Sequence, residues 1–369
     1  MASTQGIPND GYKIAVVGAT GAVGRELLAI LLERKFPVSE LIPLASPRSA
    51  GRVIEWAGKN WTCRALAPGC FDGVDIAFFD ASDAVSRDWV PAAAQAGAWV
   101  IDNSATYRMD PDVPLLVPEI NAQEAIRRAS PGGIKSWKDR VFAGPNCSTV
   151  QLVVALKPIL DQWGLKRVVV STYQSVSGAG TAAMEELRSQ AQSVFHGHPV
   201  EPKVLQHQIA FNCIPHIGGF KADGYTSEER KVIDESRKIL GLPELRITAT
   251  AIRVPTFSCH AESVNIETER PFEVAAVHEA LAAQDGVELK DDPTRNLYPL
   301  NVVHSEPQNP EGVPEGATGK DPVYVGRVRR DESVENGLNL WVVSDNLRKG
   351  AALNAIQIGE LLVRAQAKS

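Results

Sequence analysis

The sequence has few features that would place the chain outside the cell or on a nucleic acid. Its 369 residues include five cysteines, at positions 63, 70, 147, 213 and 259, and no CxxC pair. An odd number of cysteines argues against a complete disulfide framework, so we expect a reducing, cytoplasmic setting. Lysine and arginine together (38) are fewer than aspartate and glutamate (44). We therefore expect no nucleic-acid partner, since that would need a basic patch.

Long apolar runs and a targeting segment are also missing. The longest continuous apolar stretches, such as Leu27–Leu32, fall far short of the roughly 18 residues that a membrane helix needs. Residues 1–10 have neither the apolar core of a secretory signal nor an arginine-rich amphipathic pattern. We expect no membrane partner and no targeting peptide. The length suits two domains better than one.

The first half of the chain alternates short apolar strands with helical patterns. Val23, Leu27 and Ile30 recur at helical spacing after the first strand, and such a βαβ rhythm predicts a mostly parallel, doubly wound sheet. The predicted strands are Lys13–Gly18, Leu41–Ala45, Val74–Phe79 and Trp99–Ile101, and the predicted helices are Ala22–Arg34 and Asp83–Ala96.

The second half has longer strands and separate amphipathic helices, a pattern that indicates an α+β domain of about 200 residues. The boundaries predicted are 1–146 and 147–346, with a C-terminal helix in 347–369 that we expect to return to the first domain. Two segments, Ser130–Arg140 and Pro307–Asp321, are predicted loops without visible chemistry. The predicted strands are Arg167–Tyr173, Arg246–Val254, Ala261–Glu267 and Leu338–Val343, and the predicted helices are Ala179–Phe195, Ser227–Leu240 and Leu347–Ala365.

A glycine-rich turn follows the first strand and opens the first helix. Gly18, Gly21 and Gly24 permit a tight turn and a close approach of the backbone to a pyrophosphate at the helix N-terminus. The spacing is GxxGxxG, not the commonest dinucleotide pattern, and a turn without a ligand is the alternative. After the next strand no acidic residue appears, but Arg48 and Ser49 do. A guanidinium suits a 2′-phosphate, which predicts NADP(H) as the cofactor over NAD, with a surface arginine as the alternative.

Cys147 is predicted to lie just ahead of a helix that starts near Ser148, since Pro145 and Asn146 break the preceding strand. The helix dipole favours an anion there, and the thiolate is the nucleophilic form of cysteine. A buried structural cysteine is the alternative. His260 follows Arg253 by seven residues, so Pro255 must turn the chain if both serve one site. A lone histidine is otherwise more often structural.

Several motifs in the same order resemble the aspartate-β-semialdehyde dehydrogenase family over nearly the whole chain. The resemblance implies a Rossmann-type domain, a second substrate and dimerisation domain, and a homodimer. It also implies reversible NADPH-dependent reduction of β-aspartyl phosphate to aspartate semialdehyde in the lysine, threonine and methionine pathway. The motifs are GATGAVG (18–24), ASPRSAG (45–51), DNSATYRM (102–109), VPEIN (117–121), GPNCST (144–149), TYQSVSGAG (172–180), TSEERK (226–231), RVPTFSCH (253–260) and SDNLRKGAALNAIQI (344–358).

By the same resemblance, Cys147 is the nucleophile that forms a thioacyl enzyme and His260 is the acid/base, with Gln174 near the oxyanion. Glu228 and Lys231 lie three residues apart on one predicted helix, where an exposed ion pair is the alternative. The residues implied for substrate and phosphate are Arg108, Asn146, Glu228, Lys231 and Arg253. Those implied for the cofactor are Gly18, Thr20, Gly21, Ala22, Val23, Arg48, Ser49, Ser177, Gly178 and Asn346.

Two rival functions remain open at this point. One is another acyl-phosphate reductase, such as N-acetyl-glutamyl-phosphate reductase or a phosphorylating glyceraldehyde-type dehydrogenase. The other is a catalytically silent homologue that binds nucleotide as a regulatory module, although the thiol, the imidazole and the substrate arginine are all retained. We expect no metal, because the seven histidines and five cysteines show no ligand spacing.

Overall fold

The computed structural model describes residues 11–130, 132–301 and 316–366. These residues form two compact units. The first comprises the described residues up to Asn146 together with those from Ala351 onward, and the second is Cys147–Gly350. Every helix in the described part of the chain is too short or too polar to span a bilayer.

The first unit is built on a parallel sheet with the strand order β5-β2-β1-β6-β7-β8. Each neighbouring pair in that sheet is parallel, and a separate hairpin joins β3 to β4. The elements are β1 (Tyr12–Val17), α1 (Ala22–Glu33), β2 (Val38–Ala45), β3 (Val53–Trp56), β4 (Lys59–Thr62), β5 (Arg64–Ala65), β6 (Ile76–Phe79), α2 (Asp83–Gln95), β7 (Trp99–Asp102), α3 (Pro118–Asn121), α4 (Gln123–Ala129) and β8 (Val141–Ala143).

This arrangement confirms the predicted Rossmann-type, doubly wound sheet. Leaving the hairpin aside, the strands follow the order 3-2-1-4-5-6 of a dinucleotide-binding fold. The central strands are buried on both faces, as the burial of the adjacent residues Val16 and Val17 in β1, and of Phe78 and Phe79 in β6, shows, since successive strand residues point to opposite faces. Crossover helices cover a parallel sheet on both sides, so its strands are apolar throughout and their sequence pattern is easy to recognise.

The second unit contains a mixed sheet with the strand order β10-β9-β11-β14-β13-β12, and it confirms the predicted α+β domain. One face of β9 is buried and the other half-exposed, in strict alternation along the strand. Its elements are α5 (Cys147–Trp163), β9 (Arg167–Gln174), α6 (Thr181–Phe195), α7 (Ser227–Leu240), β10 (Arg246–Arg253), β11 (His260–Glu267), α8 (Val274–Ala283), β12 (Val287–Leu289), β13 (Val323–Asp331) and β14 (Gly337–Ser344).

Two helix starts differ from the sequence prediction. The predicted helix Ala179–Phe195 is a 3-10 turn at Val176–Ala179 followed by α6, because Gly180 has φ of +89° and interrupts the helix. The predicted helix Leu347–Ala365 begins with a π-helical turn at Arg348–Ala352 and continues as α9 (Leu353–Gln366). The side chains of α9 belong to the core of the first unit.

The predicted loop Ser130–Arg140 is ordered by its own polar side chains where the structure describes it. Asp139 accepts hydrogen bonds from the backbone N–H groups of Lys135 (2.9 Å) and Ser136 (2.7 Å). Lys138 pairs with Asp110 at 2.8 Å and with Asp112 at 3.1 Å. These contacts hold the segment in place and indicate no role in binding or catalysis. Of the other predicted loop, residues 307–315 lie outside the described residues.

Candidate active site

The glycine-rich turn in the first unit is shaped so that side chains are excluded. Gly18 has φ of +91°, and a Cβ there would lie 2.0 Å from the carbonyl oxygen of Asp80. A Cβ on Gly24 would lie 2.3 Å from the carbonyl oxygen of Gly18. Helix α1 starts directly after Gly21, which provides no side-chain cap. The first-turn N–H groups, those of Ala22 and Val23 among them, therefore point toward the turn as donors for an anion.

A cavity of about 510 Å³ opens at this turn. Gly18, Thr20 and Gly21 line it, together with Ser46 and Pro47 from the end of β2. Its dimensions and its backbone donors fit a dinucleotide, so the residues present are compatible with a nicotinamide cofactor. Arg48 and Ser49 lie in the 3-10 turn that continues from Pro47; Arg48 is exposed and Ser49 is half-buried.

Asp80, which is not among the predicted site residues, lies beside the same turn. It follows β6 and lines the cavity. Burial, with a smaller contribution from the nearby Asp102 carboxylate, raises the pKa of Asp80 to about 6, although hydrogen bonds from Asn103 and from the backbone of Gly24 oppose the shift. The signal available in the sequence was an acidic residue at the carboxyl end of an apolar strand.

In the second unit, three predicted site residues lie side by side across the sheet. Arg253 at the end of β10 pairs with Gln174 at the end of β9, and Gln174 pairs with His260 at the start of β11. Directly opposed residues on neighbouring strands share one face, and all three side chains are buried. Residues 254–259 carry the chain past the end of β9, where Val254 donates to the Gln174 carbonyl at 2.9 Å. A turn between Arg253 and His260 thus brings both residues beside Gln174, as the sequence requires if they serve one site.

Cys147 is the first residue of α5 and is half-buried. Helix α5 therefore starts one residue earlier than predicted. Gly350 packs directly against Cys147: a Cβ on Gly350 would lie 2.9 Å from the Cys147 Cβ and 3.3 Å from its Cα. Gly350 belongs to the motif at 344–358, but its role cannot be read from the sequence, because the spacing of two residues 203 positions apart does not show that they are in contact.

The side chains of Arg253 and His260 both lie next to Gly178. A Cβ on Gly178 would lie 3.2 Å from Arg253 Nη1 and 3.3 Å from His260 Nε2. Arg253 Nη1 also donates to the Ser175 carbonyl at 2.7 Å. Burial lowers the pKa of Arg253, while the charges of Cys147 and Glu228 act in the opposite direction. The guanidinium therefore lies within electrostatic reach of the predicted nucleophile and of a carboxylate.

His260 is fully buried. Burial and the charge of Arg253 lower its pKa to about 3, although Glu228 acts in the opposite direction. The imidazole is therefore neutral at physiological pH. Its Nδ1 accepts from the backbone N–H of Ser175 at 3.1 Å.

The three residues predicted for the nicotinamide end, Ser177, Gly178 and Asn346, lie in this same cluster. The Oδ1 of Asn346 lies 3.2 Å from both the Ser175 and the Ser177 hydroxyl, and those two hydroxyls are 2.9 Å apart. Ser175, which no motif argument singled out, is at the centre of the network. Gln174 is 1% exposed and donates through Nε2 to Thr172 at 3.3 Å.

Helix α7 carries the predicted pair Glu228 and Lys231. Lys231 Nζ lies 3.2 Å from Glu228 Oε2, with Glu228 buried and Lys231 about one-third exposed. Glu229, the neighbour that a one-residue shift would select, is engaged elsewhere. Its carboxylate accepts from the backbone N–H groups of Thr226 (2.6 Å) and Ala251 (3.0 Å), so it caps the helix and joins it to β10. This difference favours Glu228 for a role in binding.

The other two predicted substrate residues belong to the first unit. Arg108 is buried and donates to the backbone carbonyls of Gly144 (2.9 Å) and Asn103 (2.7 Å). Asn146 is 5% exposed and directly precedes Cys147 in the chain. Arg108 is thus hydrogen-bonded to the residues that directly follow β7 and β8.

A buried acid accompanies the cluster on β11. Glu262 lies two residues after His260 on the same buried face, and Gln151 lies one turn after Cys147 on α5. Among the described residues, neither the Glu262 oxygens nor the Gln151 amide makes a hydrogen bond of ordinary geometry, although Gln151 is close enough to act on the Glu262 carboxylate. Burial raises the pKa of Glu262 well above its usual range, and the adjacent Gln151 opposes the shift only in part.

This buried acid predicts a dependence of stability on pH. The native protein holds a proton on Glu262 that the unfolded chain releases above its ordinary carboxyl pKa. Stability must therefore fall as the pH rises from that value toward the raised native one. Glu262→Gln should flatten this fall by up to about 1.4 kcal/mol per pH unit. Urea unfolding from about pH 5 upward measures the slope, and Glu335→Gln, an exposed acid, is the matched control. Equal slopes for wild type and Glu262→Gln would contradict this expectation.

Comparison with known proteins agrees with these two units. A model of the semialdehyde dehydrogenase NAD-binding domain matches residues 13–129, and one of the semialdehyde dehydrogenase dimerisation domain matches residues 156–349. The aspartate-semialdehyde dehydrogenase of Aquifex aeolicus is 48% identical over 358 residues, 96% of this chain and 98% of that protein. The Bacillus subtilis enzyme is 44% identical over 360 residues, covering 95% and 97%.

Solved structures give the same result. The crystal structure of aspartate semialdehyde dehydrogenase II from Vibrio cholerae has a TM-score of 0.86 and 44% identity, covering 96% of this chain and 99% of that one. A further structure of the Vibrio enzyme is described as complexed with ASA. The Candida albicans enzyme, described with NADP, has a TM-score of 0.69 and 25% identity over 96% of this chain and 99% of that one.

A parallel nucleotide-binding unit followed by a mixed-sheet unit, each matched by its own domain model, defines an oxidoreductase of the semialdehyde dehydrogenase class that uses a nicotinamide cofactor. The relatives narrow this assignment. The chain belongs to the aspartate-semialdehyde dehydrogenase family, enzymes of amino-acid biosynthesis, and the resemblance found in the motifs is confirmed.

Proposed function

We propose that this enzyme reduces β-aspartyl phosphate to aspartate semialdehyde, reversibly and with NADPH, in the lysine, threonine and methionine pathway. The observation that carries the proposal is the position of Arg253. Its buried guanidinium lies beside His260, because a Cβ added to Gly178 would contact both side chains. The charges of Cys147 and Glu228 both act on this guanidinium. Such a site suits a small substrate that carries a carboxylate, an ammonium and an activated acyl carbon.

In this proposal Arg253 has two tasks, and each of the other residues named from the second unit has one. The Cys147 thiolate, stabilised by the α5 N-terminus and Arg253, attacks the acyl carbon and expels phosphate, which leaves a thioacyl enzyme. Arg253 binds the substrate carboxylate and Glu228 its ammonium. Lys231 binds the phosphate, and Gln174 assists at the oxyanion. In the first unit, Arg108 and Asn146 are the residues proposed for phosphate.

NADPH is the cofactor we propose for the cavity of the first unit. When bound, it supplies the hydride that reduces the thioester. Gly18, Thr20, Gly21, Ala22 and Val23 would hold its pyrophosphate, Arg48 and Ser49 its 2′-phosphate, and Ser177, Gly178 and Asn346 its nicotinamide end. The structure of the Candida relative described with NADP supports this choice.

Substrate identity is tested by assaying phosphate-dependent oxidation of two aldehydes. Aspartate semialdehyde should be preferred over N-acetylglutamate semialdehyde, because the acetylated compound has no ammonium for Glu228. The relative described as complexed with ASA supports the same choice. Preference for the acetylated aldehyde would favour the rival acyl-phosphate reductase.

The preference for NADPH is tested separately by Arg48→Ala. Loss of a charged hydrogen bond of about 1.5–3 kcal/mol should raise KM for NADPH roughly 10- to 100-fold and leave KM for NADH unchanged. Arg52→Ala, an exposed arginine nearby in the chain, is the control and should change neither value. Equal weakening of both cofactors by Arg48→Ala, or equal use of NADH by the wild type, would refute the assignment.

We also propose a homodimer formed through the second unit, whose matched model is that of a dimerisation domain. The face of its sheet that the helices leave open carries half-exposed polar and aromatic side chains, among them Tyr173, Asn265 and Trp341. Such a face suits a second copy of the same sheet.

A cytoplasmic setting agrees with the absence of disulfides among the five cysteines, all of which the structure describes.

A further inference from the structure

Glu262 and Gln151 are buried polar side chains to which the proposed reaction gives no task. Glu262 is 0% exposed and Gln151 is 1% exposed. In the part of the chain that the structure describes, neither the two carboxyl oxygens nor the nitrogen and oxygen of the amide make a hydrogen bond of ordinary geometry. Buried polar groups are nearly always paired, so such a set of adjacent atoms requires an explanation.

The two side chains are complementary once the carboxyl group carries a proton. Burial raises the pKa of Glu262 well above its usual range, and Gln151 is close enough to act on it. A neutral carboxylic acid has an O–H donor beside a carbonyl acceptor, and a primary amide has an N–H donor beside a carbonyl acceptor. A small rotation of the amide therefore allows a reciprocal pair of hydrogen bonds, which gives a partner to every one of these atoms.

The neighbours of Glu262 within the sheet do not take the place of Gln151. Thr172 lies opposite Glu262 on β9, and Val342 lies opposite it on β14. The Thr172 hydroxyl accepts from Gln174 at 3.3 Å, and the side chain of Val342 is apolar. Among the described residues, Gln151 is therefore the polar group that suits Glu262.

The acid–amide pair lies next to the catalytic residues on both elements that carry it. Gln151 follows Cys147 by four residues on α5, and Glu262 follows His260 by two residues on β11. Each therefore lies on the same face as its catalytic neighbour. Four residues of a helix advance about 6 Å, and two residues of a strand advance about 6.6 Å. The pair thus joins α5 to β11 one step along from the nucleophile, and the two steps have almost the same length.

We propose that Glu262 is a positioning residue for the nucleophile. Paired with Gln151, it holds the first turn of α5 against β11, and so it fixes the distance from Cys147 to His260, the residue implied as acid/base. This inference rests on the proposed function, which assigns the attack on the acyl carbon to Cys147. The pair itself forms whichever substrate the enzyme uses.

A directional contact is needed at this place because the rest of the interface is apolar. Val150, Leu152 and Val153, the neighbours of Gln151 on α5, are all fully buried. Apolar burial stabilises a helix on a sheet but is non-directional. A satisfied polar pair in a buried interface, by contrast, makes the packing rigid and specifies one arrangement.

Two replacements of Glu262 separate positioning from stability. Glu262→Gln keeps a neutral side chain of the same shape that can donate and accept, so kcat should equal that of the wild type. Glu262→Met removes both polar atoms, and kcat should fall at least about 10-fold with KM unchanged, because a small displacement of a reacting group is costly to catalysis. Loss of kcat in Glu262→Gln equal to that in Glu262→Met, or wild-type kcat in Glu262→Met, would overturn the inference.

The matched control is Val264→Ala, at the next position on the same buried face of β11. The cavity that it creates should lower Tm and leave kcat unchanged when the assay temperature is well below Tm. A fall in kcat as large as that of Glu262→Met would show that any loss of packing in β11 impairs catalysis, and would refute a special role for the acid.

The double variant Glu262→Met/Gln151→Met keeps the test valid if Glu262→Met folds poorly. Replacing both partners of a buried hydrogen bond by apolar groups costs less stability than replacing one, so the double variant should have the higher Tm of the two. Its kcat should still be as low, since the second substitution removes a partner from a pair that is already broken. Recovery of kcat together with Tm would contradict a positioning role.

Infrared difference spectroscopy of the full-length enzyme, without substrate, tests the pair directly. The spectrum of the wild type minus that of Glu262→Gln should contain the C=O band of a protonated carboxylic acid at neutral pH, and Gln151→Met should shift that band. A missing band, or a band that Gln151→Met leaves in place, would overturn the inference. If the enzyme prefers another aldehyde, and these results hold with that aldehyde, only the proposed substrate fails.

Discussion

Cys147→Ala should reduce turnover of aspartate semialdehyde by about 10⁴-fold or more, because the thioacyl route that we propose has no other nucleophile. The side chain is half-buried at the start of α5, so its loss creates little cavity. The fold and the affinity for NADPH should therefore be retained. Steady-state kinetics and a fluorescence titration with NADPH measure the two effects.

The matched control for this variant is Cys213→Ala, which removes an exposed thiol. Its kcat should equal that of the wild type. Two outcomes would count against the mechanism: appreciable turnover in Cys147→Ala, or comparable loss in Cys213→Ala.

Gly350→Ala should lower kcat/KM by about 100-fold with little effect on thermal stability. The new Cβ would lie 2.9 Å from the Cβ of Cys147, and neither atom can move away by a side-chain rotation. The start of α5 must shift instead, and small displacements of a reacting group are costly to catalysis. kcat/KM and Tm, measured on the same preparation, separate the two effects.

Gly219→Ala provides the control for the glycine-to-alanine change, since a Cβ at Gly219 meets no atom within 4 Å. Its activity and Tm should match the wild type. Near-normal kcat/KM in Gly350→Ala, or a loss of activity explained by unfolding alone, would show that Gly350 does not position the nucleophile.

The local features of this molecule could be predicted from the sequence because they depend on neighbouring residues. The start of α5 lies within one residue of the predicted position, because Pro145 and Asn146 follow the end of β8 at Ala143 and prevent the strand from continuing. The parallel sheet of the first unit follows from apolar strands that alternate with helices. The glycine-rich turn is likewise a property of consecutive residues.

The arrangement of the catalytic cluster could not be predicted in the same way. Arg253 and His260 flank Gln174 only because β10 and β11 pair with opposite edges of β9, and such pairing is not local. The contact of Gly350 with Cys147 and the hydrogen bond from Ser175 to His260 arise from the same tertiary packing. Glu262 was missed because its burial is visible only in the folded unit.

The thioacyl enzyme itself is the most direct test of the proposed mechanism. Enzyme incubated with aspartate semialdehyde and NADP⁺ without phosphate, then quenched in acid and digested, should carry one aspartyl group on the peptide that contains Cys147. The same peptide from Cys147→Ala should be unmodified. An aspartyl group on another cysteine, or no adduct from an enzyme that turns over once phosphate is added, would contradict the account.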